Sequence, residues 1–578
     1  MAEAHILRLK IERFRGIIDL TWFPAKGMNV LLGGGDSGKT TILDAIALLL
    51  APTNNTALSD ADYAGRDLAT GFKIEAVMSL APELVAGQTL KPAWPWEWKD
   101  NEPRAPAIGE EGPRGEPVYV LRVTGSPDLE LHYEVVQPNG DTDHLSVGLR
   151  RAIGIVRLSG EDRNDRDLRL VQGSALERLL SDHALRSRLG NKLARTEVRA
   201  ELLDDAKQKL IQLDASFKQQ ALPDKLDLAV TGAQGVTITA LIGLTADCRG
   251  VQLPLSNWGS GTRRLAALAI AEENQSASPI TLVDELERGL EPYRQRALVK
   301  KLQAAGSQTF VTTHSISTIS AATNASLWHL GALGRLGKLD GQKVSAHQKL
   351  DPDTFLARFS VVAEGATEVG FVVALLERAL PHPLETLGVH VSDGGGHETT
   401  LGLLEGLLDG GIAFAAFADN EEGKHPGRWQ AISRRLGPLL FRWENGSLEE
   451  NFIAALADHQ IEALIEHPED TGGRLRTLAV RLQIEDKSIA AVRAQAGDNL
   501  KTLIVQAALG SVPEGKDAEK KLYKNHAQIW FKSIEGGQEL AAKMFALGLW
   551  PTFKGRLLPF LNAIREAVGL PALEDLAP

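Results

Sequence analysis

A single cysteine, Cys248, occurs in the 578 residues. This excludes an intrachain disulfide framework and any zinc site built from several thiolates, and it suits a reducing compartment. Cationic side chains are the minority. The 63 Lys and Arg stand against 74 Asp and Glu, a formal charge of −11, which argues against wholesale coating of nucleic acid but leaves room for one local basic groove. Long apolar runs are missing as well. The best, residues 42–50 with Asp44 inside it, is too short and too interrupted to span a bilayer. Residues 1–14 have no long apolar core behind a basic flank, so no secretory signal is expected. There is no internal repeat and no low-complexity tract. Hydrophobic residues at 43% and charged residues at 24% are ordinary globular values, which excludes a collagenous or mostly disordered chain. The expectation is a cytoplasmic protein of roughly two to four domains with no membrane segment.

Periodicity then divides the chain. Ile6, Leu7, Leu9, Ile11 and Phe14 alternate with polar residues, which predicts an edge strand with one buried face. Residues 91–117 collect six prolines with Trp94, Trp96 and Trp98. Proline at that density predicts a surface insertion, which the tryptophans pin to the domain. Residues 174–220 are dominated by helix formers and carry Arg186, Arg188, Lys192, Arg195 and Arg199. This stretch reads as a solvated helical face or as an arm for dimerisation or DNA contact. Strands and helices alternate over residues 250–345 and again after Asp351, the pattern of parallel sheets. From about residue 455 the chain is helix-rich.

The strongest local signal is Gly33-Gly34-Gly35-Asp36-Ser37-Gly38-Lys39-Thr40, a complete GxxxxGK[ST] loop between a strand and a helix. Glycines let successive backbone N–H groups curl around phosphate oxygens, and the helix N-terminus adds positive potential. Gly33, Asp36, Ser37, Gly38 and Thr41 would line the ATP phosphates, Lys39 would reach the β/γ-phosphates and Thr40 would hold Mg²⁺. Residues 279–285 form an apolar strand ending in Asp284 and Glu285, the form of a Walker B segment. Asp284 would support the metal and Glu285 would polarise water. The strand 309–313 ends at His314, placed to sense the γ-phosphate. Just upstream of Walker B, Leu255-Ser256-Asn257-Trp258-Gly259-Ser260-Gly261-Thr262 resembles a degenerate ABC signature, with Ser260 as the phosphate contact. That resemblance implies a dimer of heads. About 220 residues without sustained heptads separate loop and signature, too little for a long-armed SMC protein.

In the second half, Glu364 ends an apolar strand and Glu368 lies in the first turn of the next helix, where it would offset the helix dipole with Thr367 as cap. A glycine-rich loop, Asp393-Gly394-Gly395-Gly396-His397, follows the next strand; the third strand ends in Asp419-Asn420-Glu421, and Ser447-Leu448-Glu449 follows. Acidic groups at several parallel strand ends converge on one sheet edge and need cations, for which hard oxygen ligands suit Mg²⁺ or Mn²⁺. The arrangement resembles a Toprim domain, with Glu421 in place of the second aspartate of the usual DxD. A P-loop ABC-type ATPase followed by Toprim resembles the OLD (overcoming lysogenization defect) family of nucleases, whose relatives include the nuclease subunit of the Gabija anti-phage system. The resemblance covers essentially the whole chain. It implies an α/β architecture: an ATPase domain in residues 1–173 and 223–350 interrupted by a helical arm, 174–222, and a Toprim nuclease domain with helical elements in 351–578. It also implies a metal set of Glu364, Glu368, Asp419, Glu421 and Glu449 holding two ions, and a late lysine, Lys532 or alternatively Lys524, that stabilises phosphate charge. Asp498 is a further candidate ligand by spacing. The implied partners are double-stranded DNA, a second copy of the chain and, as in some relatives, a helicase-like protein. Two rivals stay open: a topoisomerase or primase, since Toprim domains serve both, and a repair ATPase that clamps DNA without cutting.

Overall fold

The computed structural model describes residues 4–35, 37–54, 56–81, 84, 95–106, 115–158, 167–171, 174–180, 198–230, 242–273, 279–331, 334–420 and 423–576. Two compact units result, Met1–Lys338 and Leu339–Pro578. The first is organised on a six-stranded sheet in the order Ile155–Leu158, Ile280–Val283, Thr309–Thr312, Met28–Leu32, Ser326–Leu330, Leu336–Leu339. Its first five strands pair in parallel. Met28–Leu32, Ile280–Val283 and Thr309–Thr312 are buried at every position, which is why, Asn29 apart, they read as apolar or threonine runs instead of alternating ones. Parallel pairing also puts the C-terminal ends of these strands on one edge, from which Gly33, Asp284 and Thr313 emerge.

A second sheet of this unit is antiparallel, in the order Ile17–Trp22, His5–Phe14, Phe72–Ser79, Glu116–Gly125, Trp96–Lys99, Glu102–Arg104. The strand His5–Phe14 is therefore not an edge strand, as its alternation suggested, because it pairs on both sides. Its polar face joins cross-strand ion pairs, Arg8 with Glu75 and Glu12 with Lys73, so alternation here reports one solvated face and not an open edge. Within the proline-rich stretch, Trp96–Lys99 and Glu102–Arg104 make a ribbon on the sheet's flank, with Pro103 where no ladder donor is needed. Trp96 and Trp98 pack on Val77, Val118 and Val120, and Trp96 Nε1 donates to the Val136 carbonyl at 2.8 Å. These two side chains do pin the ribbon; Trp94 lies outside the described residues. In the helix-rich stretch, Asp204–Gln219 buries Ala206, Leu210, Leu213 and Phe217 at helical spacing. With Ala175–Leu180 it packs on the helix Ser260–Glu273. Of the five basic residues singled out there, only Arg199 is among those described.

The second unit has a four-stranded parallel sheet in the order Val389–Asp393, Phe359–Ala363, Phe414–Ala418, Leu440–Arg442. The two inner strands are wholly buried. Phe417 stacks on Phe441 at 4.6 Å, and Phe560, from the long helix Trp550–Ala567, closes the same cluster. The helix Ala366–Ala379 crosses the helix Ile534–Ala546 at a point where two glycines face the partner backbone. A Cβ on Gly370 would collide with the Ile534 carbonyl, and one on Gly537 with that of Thr367. That close approach brings a segment more than 160 residues away in sequence against the start of the helix that carries Glu368, as in the bond from Thr367 Oγ1 to the Phe531 carbonyl, 3.0 Å. Among the described residues, no helix is long and apolar enough to cross a membrane.

Candidate functional site

In the first unit, the loop after the strand Met28–Leu32 turns through Gly38, whose φ of 102° is open to glycine and strained for other residues, into the helix Lys39–Leu49. Lys39 is buried, and its Nζ donates to the carbonyls of Gly33 and Gly34 at 2.9 and 2.7 Å. Thr40 and Thr312 hydroxyls both donate to Asp284 Oδ1, at 3.0 and 2.7 Å. The Walker-type aspartate is thus tied to the phosphate loop and to the neighbouring strand. Ser37 Oγ is buried without a hydrogen-bond partner. Glu285 adopts a left-handed φ of 49°, and its N–H donates to Thr312 Oγ1 at 2.8 Å. His314 follows Thr313 on the same edge and donates its backbone N–H to Glu287 at 2.7 Å. Desolvation and the Lys39 charge hold its imidazole below the ordinary value, so the side chain lies within the field of the loop lysine. Ser260 opens the helix Ser260–Glu273 beside Gly289 and is exposed. Gly33, Ser37, Gly38, Lys39, Thr40, Asp284, Glu285 and His314 therefore gather on one sheet edge; Thr41 is the next residue of the helix, and Asp36 lies outside the described residues.

In the second unit, carboxylate oxygens of Glu368, Asp419 and Glu449 lie within 4.8 Å of one another. Glu364, Glu368 and Glu449 are buried. Asp419 ends the strand Phe414–Ala418; its N–H donates to Glu364 Oε2 at 3.1 Å, and its Oδ1 accepts from the Leu448 N–H at 3.0 Å. Burial first, then the charges of Glu368, Glu449 and Glu364, push the Asp419 carboxyl up to about 10. Burial and Glu449 push Glu368 up to about 8. Glu449 is raised by burial too, with Lys532 opposing through its charge. Lys532, itself exposed, is within charge reach of Glu449; Lys524 is exposed on the helix Lys520–Trp530, and Asp498 is exposed on a turn and takes no part in the trio. Glu421 lies outside the described residues. One expectation is corrected: Thr367 does not cap the helix carrying Glu368, because the helix already begins at Ala366 with Gly365 in the N-cap position and no side-chain cap bond; inside it, the Thr367 hydroxyl donates to the Phe531 carbonyl. Ser447 does cap the helix Leu448–Ala455, accepting from the Glu450 N–H while Glu450 reaches back to the Ser447 N–H. Three carboxylates held this close, two of them buried and Asp419 half-buried, are costly when ionised, and a hard divalent cation removes that cost, so the donor set fits Mg²⁺ or Mn²⁺.

A family model described as "AAA domain, putative AbiEii toxin, Type IV TA system" matches residues 28–320, just over half of the chain. The chain belongs to this family. The AAA domain begins at the strand before the phosphate loop and runs past His314, so its match contains every residue of the first site. The first unit is an ATPase domain. Among solved structures, the chain is similar to an Smc head bound to the C-terminal winged-helix domain of ScpA, with TM-score 0.38 and 16% identity over 59% of this chain and 99% of that one. It is also similar to a Pyrococcus furiosus Smc head bound to the C-terminal domain of ScpA, with TM-score 0.36 and 16% identity over 59% and 98%. The recombination mediator RecF with ATP aligns with TM-score 0.34 and 14% identity over 59% and 100%. No curated protein matches.

The AAA domain contains one organising residue that the sequence did not single out. Arg264 is 2% exposed, and its guanidinium donates to the carbonyls of Asp284, Glu285 (2.6 Å) and Arg288 (3.0 Å). Burial lowers its pKa to about 10, so it stays charged. It holds the left-handed turn at Glu285 from behind, a strained geometry that needs such over-determination. In sequence it is one of two adjacent arginines at a helix start, and nothing but the fold distinguishes it from Arg263. Arg442 and His397 were likewise not assigned. Arg442 Nε donates to the Asp419 carbonyl at 3.1 Å with its guanidinium over Trp429, and His397 sits against Glu364.

Proposed function

We propose that the chain is an ATP-binding, metal-dependent DNA endonuclease whose second unit is a Toprim domain of the OLD type. The observation that carries this reading is the trio Glu368, Asp419 and Glu449, the two glutamates buried and Asp419 half-buried, within 4.8 Å at the C-terminal edge of a parallel sheet, with Glu364 beside it and Lys532 within charge reach. Glu364, Glu368, Asp419 and Glu449 would hold divalent cations, with Glu421 completing the set. Held there, such cations would supply Lewis acidity toward a water and toward the 3′-oxygen of a phosphodiester. Lys532 offsets phosphate charge. In the ATPase unit, Lys39 exchanges its carbonyl partners for β/γ-phosphate oxygens, Ser37 and Thr40 offer hydroxyls to phosphate and Mg²⁺, Glu285 orients the attacking water, and His314 reads the γ-phosphate. Ser260 serves a nucleotide across a homodimer of heads. The topoisomerase rival needs a reactive tyrosine. Tyr523 is the only tyrosine of the second unit, and it is 3% exposed with the Arg481 guanidinium 5.1 Å from its ring centre, which disfavours that rival.

The test is cleavage of supercoiled plasmid in Mg²⁺ or Mn²⁺. Wild-type protein should nick and linearise it, and Asp419→Ala and Glu364→Ala should abolish cutting while the protein stays folded. Wild-type protein that binds DNA and hydrolyses ATP but never cuts would favour the clamping ATPase instead.

A further inference from the structure

His397 has no role in the foregoing chemistry, yet it is one of the least satisfied side chains in the second unit. Its side chain is 8% exposed, and neither ring nitrogen has a hydrogen-bond partner. Nδ1 lies 3.5 Å from Glu364 Oε1, too long for a good hydrogen bond. Two donor atoms that each sit about 2.1 Å from a shared cation are about 3.5 Å apart when they subtend roughly 110°. The geometry is also fixed. Gly394 and Gly396 donate their N–H groups to the carbonyls of Ala363 (2.7 Å) and Glu364 (2.9 Å), so the glycine loop that delivers His397 is fastened to the strand end that delivers Glu364. The imidazole is boxed by His425 and Trp429, at ring-centre distances of 6.1 and 5.8 Å.

We infer that His397 Nδ1 and Glu364 Oε1 are joint ligands of one divalent ion, making that position selective for a transition-metal cation over Mg²⁺. This rests on the acidic cluster being a metal site. All-oxygen sets suit Mg²⁺, whereas an imidazole donor favours first-row transition metals. The Asp419 N–H and the Arg442 guanidinium, whose charge reaches Glu364, are donors and cannot replace the nitrogen; the imidazole of His425, stacked on His397, is the alternative nitrogen that a His425→Gln control tests.

Mn²⁺ is the probe, bound to the full-length protein and read by electron spin echo modulation and by titration with Mg²⁺ as competitor. The wild type should show a ¹⁴N coupling to bound Mn²⁺. That coupling should survive His425→Gln and vanish in His397→Gln and in His397→Phe, the second of which preserves the ring packing. Mn²⁺ affinity at one position should fall by about tenfold or more, the scale on which losing a group of a metal site is felt, with Mg²⁺ binding retained. Mn²⁺ held at the carboxylates without ¹⁴N coupling, or with coupling unchanged in both His397 variants, would overturn the inference and leave the nuclease reading standing. No Mn²⁺ binding in the wild type overturns both.

Discussion

Under the proposed function, Glu368 and Asp419 make the acidic site a balance between protons and cations. Their carboxyls are pushed from ordinary values of 4.5 and 3.8 to about 8 and about 10. Without a cation the folded protein keeps protons that the unfolded chain has already released. The sign follows from linkage: this contribution to stability is full below the unfolded values and is lost as pH rises toward the folded ones. Metal-free protein should therefore lose stability between about pH 5 and 8. Mn²⁺ or Mg²⁺ binds the ionised form, so its thermal shift should be larger at about pH 8 than at about pH 6. Glu368→Gln should flatten the metal-free slope, and thermal unfolding across this range measures both effects; equal metal shifts at the two pH values would remove the cluster as the binding site. At the ATPase edge the corresponding prediction is kinetic. Lys39→Ala should lose ATP binding, and Glu285→Gln should bind ATP but turn it over about a hundredfold more slowly, as expected for loss of a proton-accepting group. If Glu285→Gln hydrolyses ATP at the wild-type rate, Ile280–Val283 is not a Walker B strand.

At the scale of elements, the acidic site depends on how closely two helices cross. Gly370→Ala would drive a methyl into the Ile534 carbonyl, with backbone and not a flexible side chain as the obstacle. Forcing the pair apart should cost about 1–3 kcal/mol, and it should move Glu368 and the Phe531–Lys532 segment relative to one another. The expected result is a lowered melting temperature together with a smaller Mn²⁺ thermal shift, whereas a purely structural role for the crossing would lower the first and leave the second intact. The same crossing explains what could be read beforehand. Strands such as Phe359–Ala363 and Phe414–Ala418 are legible because burial on both faces demands a nearly continuous apolar run, broken here only by Ser360, and the acids at their ends are legible because parallel strands share an edge. From local pattern alone Glu368 read as a first-turn acid that offsets the helix dipole, because the helix that helps bury it comes more than 160 residues later and no local pattern carries that information. Arg264 and the bond from Thr367 to Phe531 escaped for the same reason: each side chain is settled by a backbone carbonyl that only the tertiary fold supplies.

For the whole molecule, a net charge of −11 repels duplex DNA on average, so binding under the proposed function must be local and strongly screened by salt. A protein using about six phosphate contacts should lose roughly a thousandfold in affinity between about 50 and 200 mM salt. The metal-loaded acidic edge provides part of that surface. The basic stretch of residues 186–199 is the other candidate, carrying Arg186, Arg188, Lys192, Arg195 and Arg199 in a chain whose net charge is negative. Reversing Arg188, Lys192 and Arg195 to glutamate changes the local charge by six units, enough to weaken DNA binding without touching Lys39, Asp284 or Glu285. ATP hydrolysis in the absence of DNA should be unchanged. If the stretch instead holds two copies together, the same variant should sediment as a monomer. Loss of affinity with an intact dimer assigns the arginines to phosphate contact, and loss of the dimer assigns them to the interface. An intact dimer that binds DNA as tightly as the wild type would make the stretch a solvated helical face and confine DNA recognition to other surfaces.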